Sequence, residues 1–176
     1  YDVVFANLFA TPERALSVAF TDPYDTYGFH VMVRADSPIT SLDQLDDPAV
    51  SFAGVAGTVE AQYPKELYPN AVVNELVTDQ AGIGFTSVLS GQSTASFVDP
   101  GLMRIYQAQN PEGAAQLRLL NGEDALLRPV SLSYAVPYAD QDLLGFLNVF
   151  IRDRVANDAI IPARNAWFDR MAEAAQ

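Results

Sequence analysis

The chain has 176 residues, 49% hydrophobic and 18% charged, with no cysteine, one histidine and a formal net charge of −12. That apolar content suffices for a packed core, and the lack of cysteine excludes disulfides, thiolate metal sites and a cysteine nucleophile. Ten Lys and Arg stand against 22 Asp and Glu, with Lys65 the only lysine, so the clustered positive charge that a nucleic-acid partner needs is missing; no apolar run approaches the roughly 20 residues that span a bilayer.

The apolar run Val3 to Leu8 predicts a buried strand, followed by Thr11 as an N-cap, Pro12 as the first helical residue and a helix over Pro12 to Ala19. Strands are then predicted at Phe29 to Val33, Val50 to Ala53, Ala71 to Leu76, Ser96 to Val98, Leu117 to Leu120 and Ser131 to Val136. Helices are predicted at Leu42 to Leu45, Val59 to Leu67, Asp79 to Leu89, Gly101 to Ala108, Asp140 to Val155 and Ala163 to Ala174. The Asn110 to Gly113 and Asn121-Gly122 clusters read as surface turns. Alternation at this spacing predicts βαβ units, a mostly parallel sheet and the α/β class. Residues 33–127 carry enough units for one doubly wound lobe. Residues 1–32 and 128–176 are too short for a lobe each, and together look like the second half of another whose first strands are missing.

Three places could carry chemistry. Arg14 follows a strand at a helix start, where backbone N–H groups and a guanidinium could jointly hold a carboxylate; an ordinary surface arginine is the competing reading. Gly57-Thr58 closes one strand and opens the next helix, which makes it either an anion cradle or a plain N-cap. Asp99 ends the strand Phe97-Val98 and precedes Pro100-Gly101, so it can face a crevice, cap a helix or do both. Glu60 reads as a complement to the helix dipole and His30 as a hydrogen-bonded residue near the lobe crossing. With one histidine and no cysteine, no metal site or cofactor is expected. No phosphate-binding, dinucleotide-binding or serine-hydrolase motif occurs.

The order of short motifs resembles the type 2 periplasmic solute-binding proteins, specifically the polar amino-acid receptors of ABC uptake systems, solute-binding protein family 3. The resemblance rests on Asn7 to Arg14, on Phe20-Thr21-Asp22-Pro23-Tyr24, on the strand Gly28 to Arg34, and on Ser41-Leu42 with Leu45. Further along it rests on the turn after Val50 ending at Gly57-Thr58, on Val88-Leu89-Ser90-Gly91, on Phe97-Val98-Asp99, and on the helix containing Asn148 before Trp167-Phe168. It implies a two-lobed periplasmic-binding-protein-like type II fold, here one complete lobe plus the C-terminal half of the other, since family members carry a further half-lobe ahead of the strand that opens this chain.

The same resemblance implies a non-enzymatic, extracytoplasmic protein, exported with a leader that this chain lacks and expected to be a monomer. It captures an amino acid or related small carboxylate in the interlobe cleft and delivers it to an ABC permease. Arg14 would clamp the ligand carboxylate with Gly57 and Thr58, and Asp99 would accept from the ammonium. Asn7 would offer its backbone carbonyl. Phe9 and Val59 depart from the family pattern: Phe9 replaces a hydroxyl-bearing residue, and so serves through its backbone or by stacking on the ligand, while Val59 replaces a polar residue beside the cradle. Two other readings stay open. Cyclohexadienyl dehydratase-like enzymes share the architecture but need a general acid, and Pro100 to Met103 supply none after Asp99; a ligand-sensing domain of a receptor or kinase is the other.

Overall fold

The computed structural model describes residues 1–6, 8–78, 82–122 and 125–173. The chain divides into two compact units, one made of Tyr1–Gly28 and Arg128–Arg170, the other of Phe29–Leu127 with the residues from Met171 onward. The strands are β1 (Ala19–Phe20), β2 (Asp25–Arg34), β3 (Ser51–Val55), β4 (Val72–Leu76), β5 (Ala95–Val98), β6 (Leu117–Leu119), β7 (Leu127–Leu132) and β8 (Ala135–Val136). The α-helices are α1 (Val59–Leu67), α2 (Ile83–Leu89), α3 (Pro100–Gln109), α4 (Pro111–Ala114), α5 (Gln141–Ala156) and α6 (Ile160–Glu173), with 3-10 turns at Arg14–Leu16 and Leu42–Leu45.

The second unit is built on a sheet of order β4-β3-β5-β2-β6. β3 runs parallel to β4 and β5, whereas β2 is antiparallel to both β5 and β6. The expectation of a mostly parallel sheet is therefore corrected to a mixed one. β3, β4, β5 and β6 all run in one direction, each reached from the last through a helical crossover, and β2 runs against them between β5 and β6.

Side-chain alternation along the strands explains why both faces are covered. Phe29, Phe52 and Phe97 meet Tyr63 and Tyr68 of α1 and its C-terminal end, with ring centroids between 5.4 and 6.5 Å apart. Met32 and Val98 point the other way, into a core with Phe85 and Val88 of α2, Met103 of α3 and Leu117. Two glycines permit this closeness. A Cβ on Gly54 would lie 2.7 Å from the Ala61 Cα, and one on Gly84 would lie 2.3 Å from the buried Ser96 Oγ. Helix α1 carries Pro64 inside it, where the proline is buried and its carbonyl accepts the Tyr68 N–H at 2.8 Å.

In the first unit, β1 and β8 form a two-stranded antiparallel pair, and Ala19, Val136 and Leu147 make a small core under Leu143 and Leu144 of α5. Among the described residues of Val3 to Leu8, the expected strand is not formed. Only isolated bridges join Val4 to Ala135 and Phe9 to Leu132, and Val4 and Phe5 are exposed. An apolar run becomes a strand only where neighbours satisfy its backbone along its length, and here the described residues of the run meet the backbone of another segment at Val4, paired with Ala135, and at the Leu8 carbonyl, which accepts the Ser133 N–H. The expected helix Pro12 to Ala19 shrinks to the 3-10 turn Arg14–Leu16 for a related reason: Ala19 is drawn into β1. Ser131 to Val136 splits into the end of β7 and β8, because the Tyr134 N–H is taken by the Thr21 hydroxyl oxygen at 3.0 Å.

Candidate functional site

In the second unit, parallel neighbours β3 and β5 end at the same edge of the sheet, with Ala53 opposite Ser96. Each strand then turns into a helix. Thr58 precedes α1 in extended conformation and Asp99 precedes α3 likewise, so two helix N-termini open at one carboxyl edge. This is where an α/β sheet places ligand-holding groups, and where partial positive charge gathers. Gly57 takes φ +80°, and a Cβ there would meet open space, so the strand-to-helix turn rests on glycine's left-handed freedom rather than on crowding.

The residues at this edge have distinct states. Both donors of Thr58 are turned onto one acceptor, its N–H at 3.1 Å and its hydroxyl at 2.8 Å from the Val55 carbonyl. Its Oγ1 therefore presents lone pairs outward, and an anion held by this turn would meet the first-turn amides of α1 in place of the hydroxyl proton. Val59 is 3% exposed, its side chain in the core rather than at the edge. Asp99 accepts the Leu102 N–H at 2.9 Å and so caps α3. Burial pushes its carboxyl above the usual carboxylate range, opposed by the amides of Leu102 and Gly101 and by His30. A carboxylate kept this dry gains from an arriving cation.

In the first unit, the Thr11 hydroxyl accepts the Arg14 N–H at 3.3 Å, while the N-cap of the turn is Glu13 and not Thr11 as expected. The Arg14 guanidinium donates through Nη1 to the Phe9 carbonyl at 3.1 Å. That contact spends one of five guanidinium donors and sets the direction of the rest. The Phe9 ring is 8% exposed, so its packing role is internal and its backbone oxygen is what reaches Arg14. Asn7 lies outside the described residues. Phe9 and Arg14 are thus brought together in the first unit, and Gly57, Thr58 and Asp99 along one edge of the second.

Sequence reasoning missed a cavity of about 390 Å³ in the first unit, lined by Phe5, Tyr24, Tyr27, Tyr134 and Trp167. Tyr24 stacks on Tyr134 at 4.6 Å, and its hydroxyl is pushed up to about 12, chiefly by burial. At its wall Arg164 pairs with Asp25 and lies 5.4 Å over the Tyr27 ring. No local signal in the sequence links Asp25 to a residue 139 positions away.

Comparison with known proteins shows what this arrangement belongs to. The chain is 28% identical to the glutamine-binding protein of Geobacillus stearothermophilus over 110 residues, 62% of this chain and 41% of that protein. It thus spans less than half the length of that relative. The crystal structure of the ancestral amino acid-binding protein AncCDT-1, a precursor of cyclohexadienyl dehydratase, matches with a TM-score of 0.78 at 25% identity, over 96% of this chain and 69% of that one. Holo ArgBP from T. maritima matches with a TM-score of 0.69 at 28% identity, over 86% of this chain and 63% of its own. The family model for bacterial extracellular solute-binding proteins, family 3, matches residues 1–170, and the chain belongs to that family.

Proposed function

We propose that this protein is an extracytoplasmic receptor that binds an amino acid and hands it to an ABC permease. Arg14 receives the ligand carboxylate as a charge-assisted, bidentate pair. The turn Gly57-Thr58 adds the helix N-terminus of α1, and Asp99 takes the ammonium. The observation that carries the reading is the pairing of Thr58 and Asp99 at one sheet edge, with the Asp99 carboxyl raised by burial. An ammonium supplies the charge that such a carboxylate lacks, and exclusion of water on binding strengthens both ion pairs.

Family membership supports a binding role, as do relatives whose names say that they bind glutamine or amino acids. The dehydratase chemistry for which AncCDT-1 is described as a precursor requires a general acid in the site. Here Asp99 is followed by Pro100, Gly101, Leu102 and Met103, so the chain supplies no acid at that point. Thermal-shift screening of the twenty amino acids tests the proposal. At least one should raise the melting temperature in a concentration-dependent way; no shift with any of them at millimolar concentration argues against it.

A further inference from the structure

Helix α5 buries one face and leaves another bare. Leu147 packs with Ala19 and Val136, and Ile151 is buried one turn further on. Around the helix from them, Phe146, Val149 and Phe150 share a face at the i, i+3, i+4 spacing, and they are 66%, 67% and 44% exposed. A single exposed apolar residue needs no explanation, but three side by side form a patch. Gly145 borders this stripe, one turn before Val149 and beside Asp142 on the helix surface. A Cβ there would meet nothing within 4 Å, so no described part of the chain requires glycine. Glycine in a helix interior is destabilising relative to alanine. A second helix crossing closely at this point accounts for it, since axes approach to about 8 Å only over small side chains.

The two ends of the stripe carry opposite charges. Asp142 precedes Phe146 by one turn, and Arg154 follows Phe150 by one turn. The Arg154 guanidinium lies 5.4 Å over the Phe150 ring and pairs with Asp153 at 2.7 Å. Both members of that pair stay about half exposed, and Arg154 keeps donors for a further carboxylate. Such a face is complementary to itself. A second copy laid antiparallel, with its dyad at the level of Asn148, sets Phe146 against the partner's Phe150 and Asp142 against the partner's Arg154. Each contact is then made twice, as an isologous interface requires, and Arg154 lies between its own Asp153 and the partner's Asp142. A parallel copy would set Asp142 against Asp142.

At their exposures the three apolar side chains leave on the order of 300 Å² open on each copy. With the usual apolar share of about 60%, an interface that covers both stripes buries on the order of 1,000 Å² in all, the low end for specific association. We propose that this face of α5 is a homodimer interface, covered by a second copy of the chain packed antiparallel along it. The dimer is weak and reversible. It departs from the monomer that the family resemblance implies, and it is independent of how the ligand is held.

Sedimentation equilibrium of the chain near physiological ionic strength tests the dimer. The mass should rise from 19.1 kDa toward twice that value between about 1 and 200 µM, the range that an interface of this size implies. Val149→Glu and Phe146→Glu, both at exposed positions, should hold the chain at the monomer mass with an unchanged far-UV spectrum. A parent that stays monomeric at about 200 µM, an open series of larger oligomers, or a dimer that Val149→Glu leaves intact overturns the proposal. Charge swaps test the register and stand even if the glutamate variants fail to fold. Asp142→Arg and Arg154→Glu should each weaken the dimer at least about fivefold. An equimolar mixture of the two should recover it, because both facing pairs of the mixed dimer are then opposite in charge. No recovery in the mixture overturns the antiparallel interface.

Discussion

The main-chain N–H of Asp22 donates to Oδ1 of Asn148 at 2.8 Å, across 126 residues of sequence. This bond explains the Phe20 to Tyr24 motif as architecture. Phe20 closes β1, Thr21 is buried and bonded both ways with Tyr134, and the Asp22 carboxylate pairs with Arg152 at 2.5 Å, one helical turn from Asn148. The motif thereby pins α5 to the strand pair of the first unit.

Replacing Asn148 by leucine leaves the Asp22 amide without its acceptor in a partly buried place. Chemical denaturation should show a loss of about 1–3 kcal/mol. Arg152→Ala, whose ion pair is largely solvated, should cost under about 1 kcal/mol. Equal losses would show that the ion pair and not the amide bond holds the helix.

Gly54→Ala tests the close approach of β3 and α1. The new Cβ would sit 2.7 Å from the Ala61 Cα and 2.8 Å from its nitrogen, both backbone atoms that cannot rotate aside. A destabilisation of about 1–3 kcal/mol is expected from overpacking, measurable as a fall in melting temperature. Because α1 carries Thr58 at its start, ligand affinity should fall too; an unchanged melting temperature would refute the packing assigned to this strand.

Asp99 predicts opposite pH trends for stability and binding. Its folded carboxyl titrates above the unfolded one, so the native state takes up the proton first as pH falls. The contribution of Asp99 to stability is therefore fully present below the ordinary carboxylate range and lost as pH rises through the raised value. With Asp99 as the proposed ammonium acceptor, ligand binding should need the ionised form and weaken over that same interval as pH falls. Asp99→Asn should flatten both curves, as followed by denaturation and by calorimetry from pH 4 to 8.

Much of the second unit was legible because its elements announce themselves locally. Thr58 before Val59 to Leu67 gives a cap followed by a helical pattern, and α1 has those bounds. Strand direction was not legible. The apolar run of β2 is equally buried whether its neighbours are parallel or antiparallel, and only the register of His30 with Val98 reveals which it is. β1 is two residues long, too short for any period.

For the site, Thr58 and Asp99 could be placed from a strand end followed by a helix start, whereas the same logic placed Arg14 where the structure has a 3-10 turn, Arg14–Leu16. That logic could not see that the Thr58 hydroxyl turns onto Val55, that the Phe9 ring is buried, or that Asn121 meets His30. Such facts depend on contacts between segments tens of residues apart. The Asp25–Arg164 pair is of the same kind.

The central claim is that Arg14 holds a ligand carboxylate. Its guanidinium is already aimed by the Phe9 carbonyl, and loss of a desolvated, bidentate charge pair costs about 2–5 kcal/mol in comparable sites. Isothermal titration calorimetry of the parent and Arg14→Ala, with each amino acid that the parent binds, measures this directly. Affinity should fall by at least about 30-fold while the melting temperature of the unliganded protein changes little; unchanged affinity for every bound amino acid would contradict the account.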